Sequence, residues 1–310
     1  MTSPRSNAIA VGPREDRKLV NAIERGGAVS APLADASALV WSGGPADFPS
    51  SLPDGIRWVQ LPSAGIESWF DSGVIAAHPE IEFTSAAGAY AATVAEHALA
   101  LLLAGVRALP EHLEAQTWQQ AHFLDKVGTL RDSTVTIVGA GGIGRALIPM
   151  LTALGAEVLA VNRSGSPAPG AVRTLPVSSL DEVWAATDHV VVAAPATPAT
   201  RHLVGAAEFA QLRPHSWVVN VARGSLVDTD ALVEALKTGS IGGAGLDVTD
   251  PEPLPDGHPL WDLTNAIITP HDSNPTELRV NAYSEHVAAN VARFVAGEAL
   301  AARVDAAQGY

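Results

Sequence analysis

Cysteine is absent from all 310 residues, which removes disulfides, cysteine-ligated zinc, iron–sulfur clusters and thiol nucleophiles from the chemistry open to this chain. That composition fits a cytoplasmic protein. Basic residues are few: 19 Lys and Arg against 33 Asp and Glu give a formal net charge of -14. Both nucleic acid and a membrane surface call for a basic face, so neither is an expected partner. Long apolar runs are missing as well. The most apolar stretch, 94–109, is interrupted by Glu96, His97 and Arg107, and the first 16 residues lack the apolar core of a leader. What remains is ample for folding: 47% hydrophobic and 17% charged residues in a chain long enough for two domains.

One stretch organises the rest. The sequence TVTIVGAGGIG over 134–144 is a β-branched apolar run feeding into Gly139, Gly141 and Gly144, and residues 145–154 continue as an amphipathic helix. A GxGxxG pattern gains its meaning from that strand, turn and helix context. The first glycine permits the tight turn, the second lets backbone approach a pyrophosphate, and the third lets helix and strand pack closely. Phosphates then face the helix N-terminus, with its free N–H groups and positive dipole end.

Ahead of this stretch the pattern is a small α/β unit. Apolar runs at 7–11, 38–41, 56–60 and 81–84 predict strands, with a polar helix ending near Arg25. The turn Pro62-Ser63-Ala64-Gly65 falls at a strand's carboxyl end, and it reads either as an ordinary connection or as a nest of backbone N–H groups for a carboxylate. The helix from Tyr90 onward is apolar nearly all round, which implies burial on several sides. Beyond Gly144 come strands at 158–161, 189–193, 217–221, 243–247 and 266–269, with helices near 180–186 and 229–237. This alternation predicts a Rossmann-type, doubly wound parallel sheet. A last long helix over 275–297 has no strand after it, so it is expected to return to the first unit. The resulting division is 1–92 with 272–310, and 93–271. Trp41, Trp58, Tyr90, Trp118 and Tyr283 are either pocket walls or plain core.

The nucleotide fingerprint calls for an acidic residue at the end of the second strand, on the ribose hydroxyls. Here the sequence reads Asn162-Arg163-Ser164. With no carboxylate to repel a 2′-phosphate, and a cation and a hydroxyl to receive one, the expected cofactor is NADP(H), with NAD(H) as the second choice. Three polar residues follow successive strands: Arg223, Glu252 and His271. All three should therefore gather at the carboxyl edge of the sheet. A guanidinium grips a carboxylate and polarises a neighbouring carbonyl, an imidazole passes a proton near neutrality, and a carboxylate beside it favours the imidazolium. Together they describe reduction of a 2-keto acid. Singly, each has a plainer reading as a helix cap, a solvated charge or a turn support. The other nine histidines show no metal-ligand spacing such as HExxH, and no metal is expected.

The ordered segments WVQLPSAGIE, GAYAATVAEHALALLLA, GAGGIGRAL, PATPATRHL, VVNVARGSLVDTDAL, GAGLDVTDPEPLP and PLWDLTNAIITPH resemble the D-isomer-specific 2-hydroxyacid dehydrogenases. The resemblance covers nearly the whole chain. It implies a Rossmann-type domain beside a discontinuous, flavodoxin-like substrate domain, with a cleft that closes on the cofactor. In that family's terms Arg223 resembles the substrate-binding arginine, Glu252 its carboxylate partner, His271 the acid/base, and Asp247 the nicotinamide-side aspartate. Ala64 and Gly65 match the loop whose amides hold the substrate carboxylate. Gly139, Gly141, Gly142, Ile143, Gly144, Asn162, Arg163, Ser164, Pro195, Thr200, Val221 and Ala222 fall in the cofactor-binding segments. A homodimer built around helix 94–109 is also implied, and glyoxylate or hydroxypyruvate is the expected substrate. The alternative is a dinucleotide-sensing, corepressor-like binding protein on the same fold. Two departures bear on substrate preference: Asp272-Ser273-Asn274 after His271, in place of a Gly- or Ala-rich run, and Ala196 in place of a bulkier residue. The chain's short length and the lack of a domain after the last helix disfavour a phosphoglycerate dehydrogenase with a regulatory tail.

Overall fold

The computed structural model describes residues 7–306; residues 1–6, part of the stretch read above for a leader, and residues 307–310 lie outside the described residues. The chain divides into two compact units, Met1–Tyr90 with Pro275–Tyr310, and Ala91–Asn274.

The first unit holds a five-stranded parallel sheet made of β1 (Ala8–Gly12), β2 (Val29–Ser30), β3 (Ala38–Trp41), β4 (Trp58–Gln60) and β5 (Glu82–Thr84), in the order β2-β1-β3-β4-β5. β3 and β4 are buried at every position, which is why β3 is continuously apolar and not alternating, while β4 ends on the buried polar Gln60. The Thr276–Ala296 helix does return here, and specific polar contacts hold it. The fully buried Gln60 accepts from Thr84 Oγ1 at 2.9 Å and from Asn290 Nδ2 at 2.8 Å, while its own amide nitrogen donates to the carbonyl of Leu61 at 2.9 Å and that of Ser85 at 3.0 Å. Asn290 in turn donates to the Ala301 carbonyl and accepts from the Ala301 N–H. Every atom of this network is partnered, so a polar cluster can sit in a core without the cost of an orphaned group. Tyr283 adds a 2.6 Å bond from its hydroxyl to the Trp41 carbonyl.

The second unit holds a seven-stranded parallel sheet: β6 (Thr134–Val138), β7 (Glu157–Asn162), β8 (Arg173–Pro176), β9 (His189–Val192), β10 (Trp217–Asn220), β11 (Gly243–Leu246) and β12 (Ala266–Ile268). Their spatial order, β12-β11-β10-β9-β6-β7-β8, is that of a doubly wound sheet whose direction of winding reverses between β6 and β9. Ligands of such sheets lie at the carboxyl side of that switch point. The Ala91–Val106 helix buries Val94, Ala98, Leu101 and Leu102, and glycines on either side let it lie close to the sheet. A Cβ at Gly105 would fall 2.2 Å from the Trp217 ring, and one at Gly245 would fall 2.9 Å from Leu101 Cβ.

Some local expectations change. The stretch near 180–186 is not an α-helix but two 3-10 segments, Val177–Glu182 and Trp184–Ala186, interrupted by non-helical backbone at Ser179. β2, β8 and a short Ala206–Phe209 helix add to the elements read from the sequence. Trp41, Trp58 and Tyr283 are core residues of the first unit, not pocket walls, and Trp118 is 91% exposed.

Candidate active site at the carboxyl edge of the seven-stranded sheet

The glycine turn sits at the switch point. Gly139 follows β6 with φ +103°, and a Cβ there would stand 2.3 Å from the backbone nitrogen of Ala194, so only glycine lets the turn pass under the end of β9. A Cβ at Gly144 would lie 2.9 Å from the Gly139 carbonyl and 3.0 Å from Ile137, the close helix-to-strand approach expected of the third glycine. Gly141 differs: a Cβ there would meet nothing within 4 Å. Its small size is not required by protein packing, which suits backbone that approaches a ligand. The Gly142–Ala153 helix starts at this point, and the first N–H groups of a helix have no partner within it. Gly142 is exposed and Ile143 half-buried at that first turn. The residues present therefore fit a dinucleotide pyrophosphate.

At the end of β7, Asn162 accepts from the N–H groups of Ser164 at 3.1 Å and Gly165 at 2.7 Å and donates to the Ser166 carbonyl at 2.7 Å. Its amide is committed to shaping the loop that presents the exposed Arg163 and Ser164. After β9, the Thr200 hydroxyl donates to the Pro195 carbonyl at 2.8 Å and accepts from the Thr197 N–H, closing the 195–200 turn.

After β10, Val221 and Ala222 are buried and lead to Arg223, which is half-buried. The fully buried Asn220 shapes this turn, accepting from the Ala222 N–H at 3.0 Å and donating to the Arg223 carbonyl at 2.8 Å. The guanidinium of Arg223 donates to the Ala222 carbonyl at 2.7 Å. A Cβ at the next residue, Gly224, would fall 1.9 Å from the Thr249 carbonyl oxygen, so the Arg223 turn and the loop after β11 are in backbone contact.

That loop carries Glu252, and the loop after β12 carries His271. Nδ1 of His271 stands 2.7 Å from Oε1 of Glu252, with the two side chains 47% and 43% exposed. His271 has a left-handed backbone, φ +54°, uncommon for a residue with a side chain. Its N–H donates to the Asp247 carbonyl at 2.9 Å. The Asp247 side chain, only 1% exposed at the end of β11, accepts from Thr269 Oγ1 at 2.7 Å, from the Asp272 N–H at 3.1 Å and from the Ser273 N–H at 3.4 Å. His97, on the Ala91–Val106 helix, places Nε2 2.9 Å from Thr269 Oγ1. Linear spacing hid one grouping: His97, Asp247 and Asp272 each bring a ligand-type atom within 4.8 Å of the others.

Ala64 and Gly65 belong to the first unit and follow β4. Their loop is pinned by the Tyr90 hydroxyl, which donates to the Pro62 carbonyl at 2.6 Å, and by Trp69 Nε1, which donates to Ser63 Oγ at 3.1 Å. Burial pushes the Tyr90 hydroxyl up to about 12, so Tyr90 stays a donor throughout the neutral range.

The sequence pattern described as "D-isomer specific 2-hydroxyacid dehydrogenase, NAD binding domain" matches residues 98–273, and the chain belongs to this family. Among its relatives are the D-3-phosphoglycerate dehydrogenase of Mycobacterium tuberculosis, 38% identical over 66% of this chain, and the human glyoxylate reductase/hydroxypyruvate reductase, also 38% identical over 66% of this chain. The chain spans 39% of the mycobacterial protein and 64% of the human one. A D-isomer specific 2-hydroxyacid dehydrogenase from Xanthobacter autotrophicus Py2, solved in complex with NADPH and MES, superposes over 98% of this chain and all of its own with a TM-score of 0.79 and 26% identity.

Proposed function

We propose that this protein reduces small 2-keto acids to D-2-hydroxy acids with NADP(H) in preference to NAD(H), glyoxylate and hydroxypyruvate being the leading substrates. The observation that carries the reading is the His271–Glu252 pair, 2.7 Å apart at the carboxyl edge of a nucleotide-binding sheet. The human relative's name supports the substrate class, and Arg163 and Ser164 at the end of β7 support the 2′-phosphate.

Gly139, Gly141, Gly142, Ile143 and Gly144 would hold the pyrophosphate, with Pro195, Thr200, Val221 and Ala222 along the rest of the cofactor and Asp247 on the nicotinamide side. When bound, the nicotinamide supplies the hydride. The chain's own residues do the remainder. Arg223 holds the keto-acid carboxylate and draws electron density from the carbonyl oxygen, as a preorganised cation does for developing negative charge. The family resemblance gives the amides of Ala64 and Gly65 the role of holding a substrate carboxylate. His271 gives the proton that the new hydroxyl requires, and since Nδ1 is engaged by Glu252, the proton moves at Nε2. Glu252, through that 2.7 Å contact, fixes the orientation of the ring.

A homodimer is proposed as well. Its support is a run of exposed apolar side chains just beyond the Ala91–Val106 helix: Leu109, Leu113, Trp118 and Leu124 are 47%, 85%, 91% and 72% exposed. Cytoplasmic residence rests on the cysteine-free composition; among the described residues no helix is long and apolar enough to cross a membrane. The test is a panel of 2-keto acids with NADPH and with NADH, followed by cofactor absorbance. Turnover of glyoxylate or hydroxypyruvate with NADPH favoured is expected; binding of NADPH without turnover of any acid would overturn the reading.

A further inference from the structure

Asp247 is buried to 1% and surrounded by donors. Its carboxylate accepts from a hydroxyl and two backbone N–H groups, all from residues 269–273, so it clamps the segment that presents His271. The Thr269 hydroxyl has a single hydrogen, and the 2.7 Å contact to Asp247 Oδ1 uses it. The 2.9 Å contact between Thr269 Oγ1 and His97 Nε2 must then be donated by the imidazole, which fixes the Nε2–H tautomer. The same Nε2 lies 3.5 Å from Asp247 Oδ1, so one N–H faces both the hydroxyl and the carboxylate. Asp272, whose carboxylate is within 4.8 Å, is the other charged group of the cluster.

We infer that His97 is a positioning residue for His271. From the Ala91–Val106 helix it donates into the Thr269–Asp247 clamp and thereby ties that helix to the 269–273 segment in which His271 keeps its left-handed backbone and its bond to Glu252. The effect of His97 on His271 passes through Thr269 and Asp247. The catalytic half of the inference rests on the function proposed above, while the structural half does not.

The experiment compares wild type with His97→Ala, His97→Gln and Thr269→Val by hydrogen exchange and steady-state kinetics. Glutamine can place a donor where Nε2 stood, and valine removes the Thr269 hydroxyl with little change of shape. Losing one hydrogen bond to this cluster should raise amide exchange at Asp272 and Ser273 roughly tenfold in His97→Ala and in Thr269→Val. His97→Gln should stay within about threefold of wild type, since the donor is kept. In the keto-acid assay, kcat should fall roughly tenfold in His97→Ala with KM changing less than about threefold, and glutamine should restore it. Wild-type exchange in both His97→Ala and Thr269→Val, or a glutamine variant as loose as alanine, would overturn the inference. Should His97→Ala fail to fold, Thr269→Val and His97→Gln decide the matter. Should wild type turn over no keto acid, the exchange readout still judges the clamp, and only the proposed function fails.

Discussion

His271 Nδ1 and Glu252 Oε1 lie 2.7 Å apart although 19 residues and a whole strand, β12, separate them along the chain. The first prediction concerns this pair. His271→Ala should lower kcat roughly 10²- to 10⁴-fold, the usual contribution of a positioned proton donor. Glu252→Gln should cost less, about tenfold or more, because the ring keeps a neutral hydrogen-bond partner but loses the opposite charge. Wild-type turnover in His271→Ala would remove that residue from the chemistry.

Cofactor choice is tested at Arg163. Its replacement by alanine should raise KM for NADPH about tenfold, the loss of one charge-assisted contact, and leave KM for NADH within about twofold. Parallel losses with both cofactors would contradict a 2′-phosphate role.

Gly224→Ala should be strongly destabilising. The new methyl would sit 1.9 Å from the Thr249 carbonyl oxygen, and backbone on one side must move. A loss of about 2 kcal/mol or more in urea unfolding is expected. Gly239→Ala is the control: its φ is +69° but a Cβ there would meet nothing within 4 Å, so only the backbone preference is lost, about 1 kcal/mol.

Stability should fall in mild acid because of His189. Burial, helped by the neighbouring His215, lowers its pKa from 6.5 to about 4, and Nδ1 accepts from the Trp217 N–H at 3.2 Å, a role open only to the unprotonated atom. Between pH 6.5 and about 4 the unfolded chain takes up a proton that the folded chain refuses, so stability is full above 6.5 and declines on acidification, levelling off below about 4. The contribution is on the order of 3 kcal/mol. His189→Asn should flatten the urea midpoint across this window, and an unchanged slope would assign the acid sensitivity elsewhere.

Much of the fold was legible because it rests on local rules. Continuous apolar runs mark strands buried on both faces, and the glycines at 139, 141 and 144 mark a turn with steric demands. The 180–186 stretch misled because an apolar spacing that includes Leu180, Val183 and Trp184 serves a pair of 3-10 turns as well as an α-helix. β2 and β8 were hidden because a two-residue strand and one carrying Arg173 and Pro176 lack an apolar run. Of the candidate site, Arg223, Glu252 and His271 could be proposed from their residue types and their places after strands. Asn220, Thr269 and His97 could not. Their residue types are common in turns and helices, and their meaning arises only from contacts between distant segments: 172 residues separate His97 from Thr269.

The clamp on the 269–273 segment has a consequence for variation. Asp247 grips backbone N–H groups at Asp272 and Ser273, and any residue except proline supplies those. The Asp272 side chain is exposed and the grip takes hold of its backbone alone, so position 272 can vary in size while the loop beneath it keeps its course. Variation in side-chain size at position 272 is thus separable from the left-handed backbone that His271 keeps one residue earlier.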